Sequence, residues 1–109
     1  MGATVISTSS SDDKLSIAAK LGATHLINYK TTPDWAAEVL RITNDKGVDL
    51  VADVGGSGTI GQSIQSLRQG GTAVAIGFLA PPKEVDVVFD LMFKARTCKS
   101  FLYAVTRID

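Results

Sequence analysis

The residues with the most chemical promise in this chain are glycines and hydroxyls rather than acids and bases. Gly56-Ser57-Gly58-Thr59-Ile60-Gly61 spells GxGxxG between a strand-like run and a helix-like run. In that setting glycines let a pyrophosphate approach the backbone at a helix N-terminus. The pattern also needs a carboxylate about twenty residues further on, at the end of the next strand, to hold a ribose. Here that region reads Ala75-Ile76-Gly77-Phe78-Leu79-Ala80, with no acid. A plain strand-to-helix turn is therefore the better reading of the glycines, which still line a groove. The second candidate is Ser9-Ser10-Ser11-Asp12-Asp13-Lys14, whose hydroxyls, helix N-terminal amides and lysine suit a phosphate. Taken alone, simple N-capping with a solvated Lys14 explains those residues as well.

Other conspicuous side chains are expected to be structural. His25 has no partner nearby in sequence. Cys98 begins a strand and reads as buried and inert. Trp35 anchors a helix to a sheet. Asp49 and Asp53 lie four apart on one strand and mark its ends better than they form an acid/base pair.

The elements that must position these residues alternate along the chain. Residues 4–8, Thr-Val-Ile-Ser-Thr, are β-branched and read as a strand. Leu15, Ala18 and Ala19 then recur at helical spacing until Gly22 stops the helix. His25-Leu26-Ile27-Asn28 reads as a second strand. Thr32 is the expected N-cap of the next helix, with Pro33 at its first position and Trp35, Val39 and Ile42 as its buried stripe. Residues 49–54 form a third strand closed by Gly55-Gly56. A helix from about Thr59 is expected to carry Ile60, Ile64 and Leu67 on one face, with Gly70-Gly71 as its terminator. Residues 72–77 read as an apolar strand buried on both faces. Val88, Leu91, Met92 and Ala95 suggest a short helix, and residues 98–105 a last strand. Five strands with four intervening helices predict an α/β fold, a Rossmann-like parallel sheet flanked by helices in three layers.

Composition narrows the field. At 109 residues the chain holds one domain, spanning residues 1–109. Eleven basic residues balance eleven acidic ones, so no net field draws it to nucleic acid or an anionic membrane. Its apolar runs are too short to span a bilayer. Met1-Gly2-Ala3 leads straight into a strand-like stretch, with no expected signal peptide. One cysteine and one histidine exclude an internal disulfide and an intrachain Cys/His zinc site. A cytoplasmic location is the expectation.

Several segments recur in an order and spacing that belong together. They are residues 3–15 (Ala3 through Lys14-Leu15), residues 21–29 (Leu-Gly-Ala-Thr-His-Leu-Ile-Asn-Tyr), residues 47–56 (ending Val54-Gly55-Gly56) and residues 70–77 (Gly-Gly-Thr-Ala-Val-Ala-Ile-Gly). Leu91-Met92-Phe93-Lys94-Ala95 follows before the last strand. Taken in order, they resemble the nucleotide-binding domain of the medium-chain dehydrogenase/reductase superfamily, in its zinc-type alcohol-dehydrogenase-like and quinone-reductase branches. The resemblance covers essentially the whole chain. It implies that Lys14 meets the 2′-phosphate of NADP and Tyr29 the adenosine, with Ser9 and Ser10 in the same loop. It places Val54, Gly55 and Gly56 on the ribose and nicotinamide side, beside Gly77, Phe78 and Leu79 at the next strand end. NADP is the cofactor implied, with NAD as the alternative, and no zinc is bound by this chain.

The same resemblance implies that a catalytic domain and a first strand–glycine loop–helix unit are missing. The chain is then a partial NAD(P)-binding domain of an oxidoreductase, inactive alone. The alternative is a non-enzymatic module that binds a protein partner through a remnant fold. In the family's strand order the missing strand lies between residues 4–8 and 49–54, leaving two facing ladders unpaired. Such a gap must be closed by direct pairing of those strands, by another chain, or by pairing between copies. A homodimer through the open edges or the last strand is the expectation.

Overall fold

The computed structural model describes residues 2–76 and 84–100. Five parallel strands and four helices alternate along them: β1 (Ile6–Ser9), α1 (Asp12–Lys20), β2 (His25–Asn28), α2 (Trp35–Ile42), β3 (Val48–Asp53), α3 (Ile60–Gln65), β4 (Leu67–Ala75), α4 (Val88–Phe93) and β5 (Thr97–Ser100). A single 3-10 turn, Gly56–Gly58, joins β3 to α3. The α/β, Rossmann-like reading of the sequence is met. The expected strand residues at Gly77 and beyond Ser100 lie outside the described residues.

Local chemistry explains most of the boundaries. Ser11 caps α1, its hydroxyl accepting from the Lys14 amide at 3.3 Å, and Asp12 and Asp13 occupy the positive first turn. The helix closes where the Ala23 amide reaches back to the Ala18 carbonyl at 3.0 Å, over Gly22 at φ +109°. In α2 the cap is Asp34 rather than the expected Thr32: its carboxylate accepts from the Ala37 amide at 3.3 Å. Thr32 instead belongs to the turn after β2, its amide donating to the Asn28 carbonyl at 2.9 Å. Gln62 of α3 supports the start of α2, accepting from the Ala36 amide and donating to the Pro33 carbonyl, both at 2.9 Å.

The end of α3 also differs from expectation. The helix stops at Gln65, and Leu67 opens β4 instead of sitting on the helix face. Gly70 and Gly71 lie within that strand rather than ending the helix. The cause is long-range: the half-buried Arg96 guanidinium takes the carbonyls of Gln65, Leu67 and Asp90 at 3.0–3.2 Å, so the chain finds a partner for α3's last carbonyls without another helical turn. Leu67 pairs with Val48 and Thr72 with Leu50, so residues 68–71 bulge out opposite Asp49. Gly47 permits this close approach: at φ +86°, a Cβ there would lie 2.5 Å from the Arg68 amide nitrogen.

The strands form two separate sheets, β1-β2 and β3-β4-β5. Direct pairing of β1 with β3, one of the three ways of closing the expected gap, does not occur. What links the two halves is packing. Ile27, Trp35 and Val39 form one buried cluster, with Ile6 and Val48 against it. Ile64, Leu67 and Ala73 form a second, and Val48 packs on that one too. Burying a side chain such as Trp35 or Val39 stabilises by about 1.5–3 kcal/mol, so α2 anchors the smaller sheet as the sequence predicts. At α4 the inward contacts are Leu91 and the N-cap residue Val87, whereas Val88, Phe89, Met92 and Phe93 are exposed. No helix among the described residues is long and apolar enough to cross a membrane.

Candidate functional site

Two strand ends gather the predicted site residues. At the carboxyl end of the smaller sheet, Ser9 pairs with Asn28, and the Tyr29 amide donates to the Ser9 carbonyl at 3.1 Å. The Ser11 amide donates to the Ser9 hydroxyl oxygen at 3.2 Å, which folds the loop through Ser10 back onto β1. Lys14 follows in the exposed first turn of α1. The fold therefore brings Ser9 and Tyr29 together at one strand end. They meet through that backbone bond, and Ser10 and Lys14 lie on the loop and first turn that follow β1.

One partner in this cluster was not anticipated. The Asn28 amide donates to the Asp12 carboxylate at 2.8 Å, while its oxygen accepts from the Lys30 amide at 2.9 Å. Sequence reading treated Asn28 only as a strand end. Its signal was an amide residue immediately before Tyr29, level with the loop after β1.

The second group sits at the end of β3. Asp53 is 4% exposed, and its carboxylate accepts from the Gly56 amide at 3.0 Å, the Thr59 hydroxyl at 2.7 Å and the Ser63 hydroxyl at 2.5 Å. Burying an anion is costly unless it is fully hydrogen-bonded, and three donors meet that need. The carboxylate thus braces the turn that carries Val54, Gly55 and Gly56. It marks a strand end, as expected, and does so as the organiser of the turn. Gly56, at φ +75°, adopts a left-handed conformation suited to glycine. Gly55 is required for a different reason, since a Cβ there would meet the Thr59 hydroxyl oxygen at 2.5 Å. The Gly56 amide is already spent on Asp53, which agrees with a structural turn rather than a pyrophosphate cradle. Val54 is exposed beside it. Gly77, Phe78 and Leu79 lie outside the described residues.

Of the remaining residues, Trp35 is buried in the core as expected. Cys98 is not: it is exposed on β5, which is paired on one side only by β4. Partial burial still pushes its thiol pKa up, and the Asp53 charge adds to the effect. Among the described residues no group of three His, Cys, Asp or Glu side chains is placed to hold a metal ion.

A parallel, helix-flanked sheet with functional loops at its strand ends defines a Rossmann-like nucleotide-binding domain. The chain belongs to the zinc-binding dehydrogenase family, which it matches over residues 1–108. It is 54% identical over 79 residues to a zinc-type alcohol dehydrogenase-like protein of Schizosaccharomyces pombe, covering 72% of this chain and 23% of that protein. It is 47% identical over 92 residues to a 2-haloacrylate reductase of a Burkholderia species, covering 84% of this chain and 27% of the other. A crystal structure of 2-haloacrylate reductase superposes with a TM-score of 0.82 at 40% identity, over 91% of this chain and 31% of that one. The crystal structure of an NAD-dependent alcohol dehydrogenase does so at 0.75 and 32%, over 91% and 29%. The chain thus spans about a quarter of the length of the curated relatives it matches.

Proposed function

We propose that this chain is the cofactor-binding portion of an NAD(P)-dependent oxidoreductase, with NADPH preferred over NADH and little or no turnover by itself. The observation that supports the reading is the meeting of Ser9 and Tyr29 at one strand end, with Ser10 and Lys14 next along the chain from Ser9, and the braced Val54-Gly55-Gly56 turn at another. Both ends belong to strands beside the break between β1 and β3. In open α/β sheets, ligands settle outside the carboxyl ends of strands where the strand order reverses.

Each residue has a specific task in this reading. Ser9 and Ser10 donate hydroxyl hydrogen bonds to a 2′-phosphate, and Lys14 neutralises part of its charge. Tyr29 lies against the adenosine. Val54, Gly55 and Gly56 offer a side-chain-poor surface to the ribose and nicotinamide, with Gly77, Phe78 and Leu79 assigned to the same side. The cofactor supplies hydride chemistry when bound, and the protein supplies binding and orientation. The reacting partner belongs to the carbonyl, alcohol or enone class. The chain is read as cytoplasmic.

Binding is expected at high-micromolar to millimolar strength, about −4 to −6 kcal/mol, because the pyrophosphate lacks a dedicated glycine cradle here. Titrating NADPH and NADH against wild type and Lys14→Ala tests the assignment. NADPH preference that drops in Lys14→Ala supports it; NADH preference, or indifference to the substitution, contradicts it. Assays with aldehydes and quinones accompany the titrations, and binding without turnover matches the proposal.

Self-association is part of the same reading. Among the described residues β1, β3 and β5 each pair with one strand only, and open strand edges pair readily between copies. A homodimer in sedimentation across a concentration series is the expected result; a monomer at every concentration contradicts it. A non-enzymatic module is favoured instead if no cofactor binds, since the exposed Val88, Phe89, Met92 and Phe93 on α4 suit a protein contact.

A further inference from the structure

Resting on the self-association proposed above, we infer that two copies of this chain meet, antiparallel, through the outer face of α4. The helix is apolar on both sides. Val87 at its N-cap and Leu91 pack on the cluster of Ile64, Leu67 and Ala73. Val88, Phe89, Met92 and Phe93 lie on the other side, within an arc of about 140°. Asp90, the helix's one charged residue, accepts from the Gln65 side-chain amide at 3.2 Å and does not interrupt that arc. A helix that is apolar all round is normally buried all round. Here the inner face alone is covered: the four outer side chains are 64–77% exposed.

The size of this face calls for a partner. Phe89 and Phe93, one turn apart, stack with ring centroids 5.5 Å apart and so form one continuous apolar surface. A fully enclosed phenylalanine buries about 150–250 Å², so two rings at 71% and 66% exposure leave about 200–350 Å² bare. Val88 and Met92 extend the patch to roughly 450–600 Å², at the upper end of what a monomer leaves exposed. That is more than half of the about 800 Å² that each partner contributes to a stable dimer. Aromatic residues and methionine are also the types enriched at the centre of such interfaces.

The ends of α4 make the face complementary to itself. Glu84 and Asp86 precede the helix, and Lys94 caps its far end. Two copies laid antiparallel about a twofold axis set the basic end of each against the acidic end of the other. A parallel arrangement would set like charges together. Pairing of open strand edges exchanges hydrogen bonds to water for bonds to protein, with a small net gain. Burial of the α4 face supplies the larger driving force, and the edges add to it.

Sedimentation equilibrium of the full chain across a concentration series gives the dimer dissociation constant of each variant. Met92→Glu puts a carboxylate into both halves of the apolar contact, and is expected to raise that constant about tenfold or more. Leu21→Glu adds the same charge at an 84% exposed leucine outside the face, and is expected to leave the constant unchanged. Lys94→Glu replaces two end-to-end attractions by repulsions, for an expected weakening of about three- to tenfold. Lys94→Glu combined with Glu84→Lys is expected to recover most of that loss. Circular dichroism melts confirm that each variant is folded. If Met92→Glu dimerises as wild type does, if Leu21→Glu weakens the dimer as much, or if the exchange recovers nothing, the inference fails while self-association through strand edges stands. If wild type is a monomer at every concentration, an occupant other than a second copy covers the face, and the inference falls together with the self-association reading.

Discussion

Substituting Asp53 probes how the site is held, because three donors depend on one buried carboxylate. In Asp53→Ala, the Gly56 amide, the Thr59 hydroxyl and the Ser63 hydroxyl all lose their acceptor. Hydrogen bonds to a charged group contribute about 1.5–3 kcal/mol each, though not additively. Thr59 has a fallback in the Gly56 carbonyl at 3.4 Å, and Ser63 can turn toward its own helix. Gly56 is buried, so its amide cannot turn to water instead. Removing the anion also removes its desolvation cost. The net expectation is a loss of about 3–5 kcal/mol, a large share of a domain's roughly 5–15 kcal/mol. Asp53→Asn keeps an oxygen for the Gly56 amide while the hydroxyls reorient, and should cost about 1–2 kcal/mol, since neutral bonds are about half as strong. Urea denaturation reads both values, and hydrogen exchange at the Gly56 amide shows whether the turn has opened. A wild-type-like Asp53→Ala, or an Asn variant as damaged as the Ala variant, would refute the idea that this carboxylate organises the turn.

Two further outcomes follow from local geometry. Gly47→Ala combines a left-handed φ of +86° with a Cβ 2.5 Å from backbone nitrogen, and should destabilise by about 2–4 kcal/mol in the same urea experiment. Cys98 should alkylate slowly for an exposed thiol, because burial first and the Asp53 charge second raise its pKa. The fold favours the neutral thiol. The associated stability is therefore held below the ordinary thiol range and declines as pH rises through it. Iodoacetamide rates against pH, compared with free cysteine, check the direction.

The order and type of the elements were legible in the sequence because each carries its own local signal. The Ser11 cap, Gly22, the Trp35–Val39 stripe and the β-branched strands act within a few residues of themselves. What escaped was set at long range. Leu67 looks helical beside Ile60 and Ile64, yet Arg96, twenty-nine residues away, takes its carbonyl as a strand begins. Thr32 was displaced as a cap by Asp34, with Gln62 supporting the same turn from α3. At the site, Ser9, Ser10, Lys14 and Tyr29 were singled out through family resemblance, and the register of β1 on β2 sets Ser9 beside Asn28, one residue from Tyr29. Asp53 was recognised only as a strand end, although its spacing to Gly56, Thr59 and Ser63 contains the whole turn. Cys98 was misjudged because a strand side chain is buried only by what packs over its face of the sheet, which the strand's own residues do not reveal.

The measurement that bears most directly on the central claim is a backbone amide NMR titration of the intact chain with NADPH. The account predicts saturable shifts concentrated at Ser9, Ser10, Lys14 and Tyr29, with a second set at Val54, Gly55 and Gly56. Residues at the opposite strand ends, such as Asp45 and Lys94, should not move. Shifts confined to those opposite ends, or none at millimolar NADPH, would contradict it.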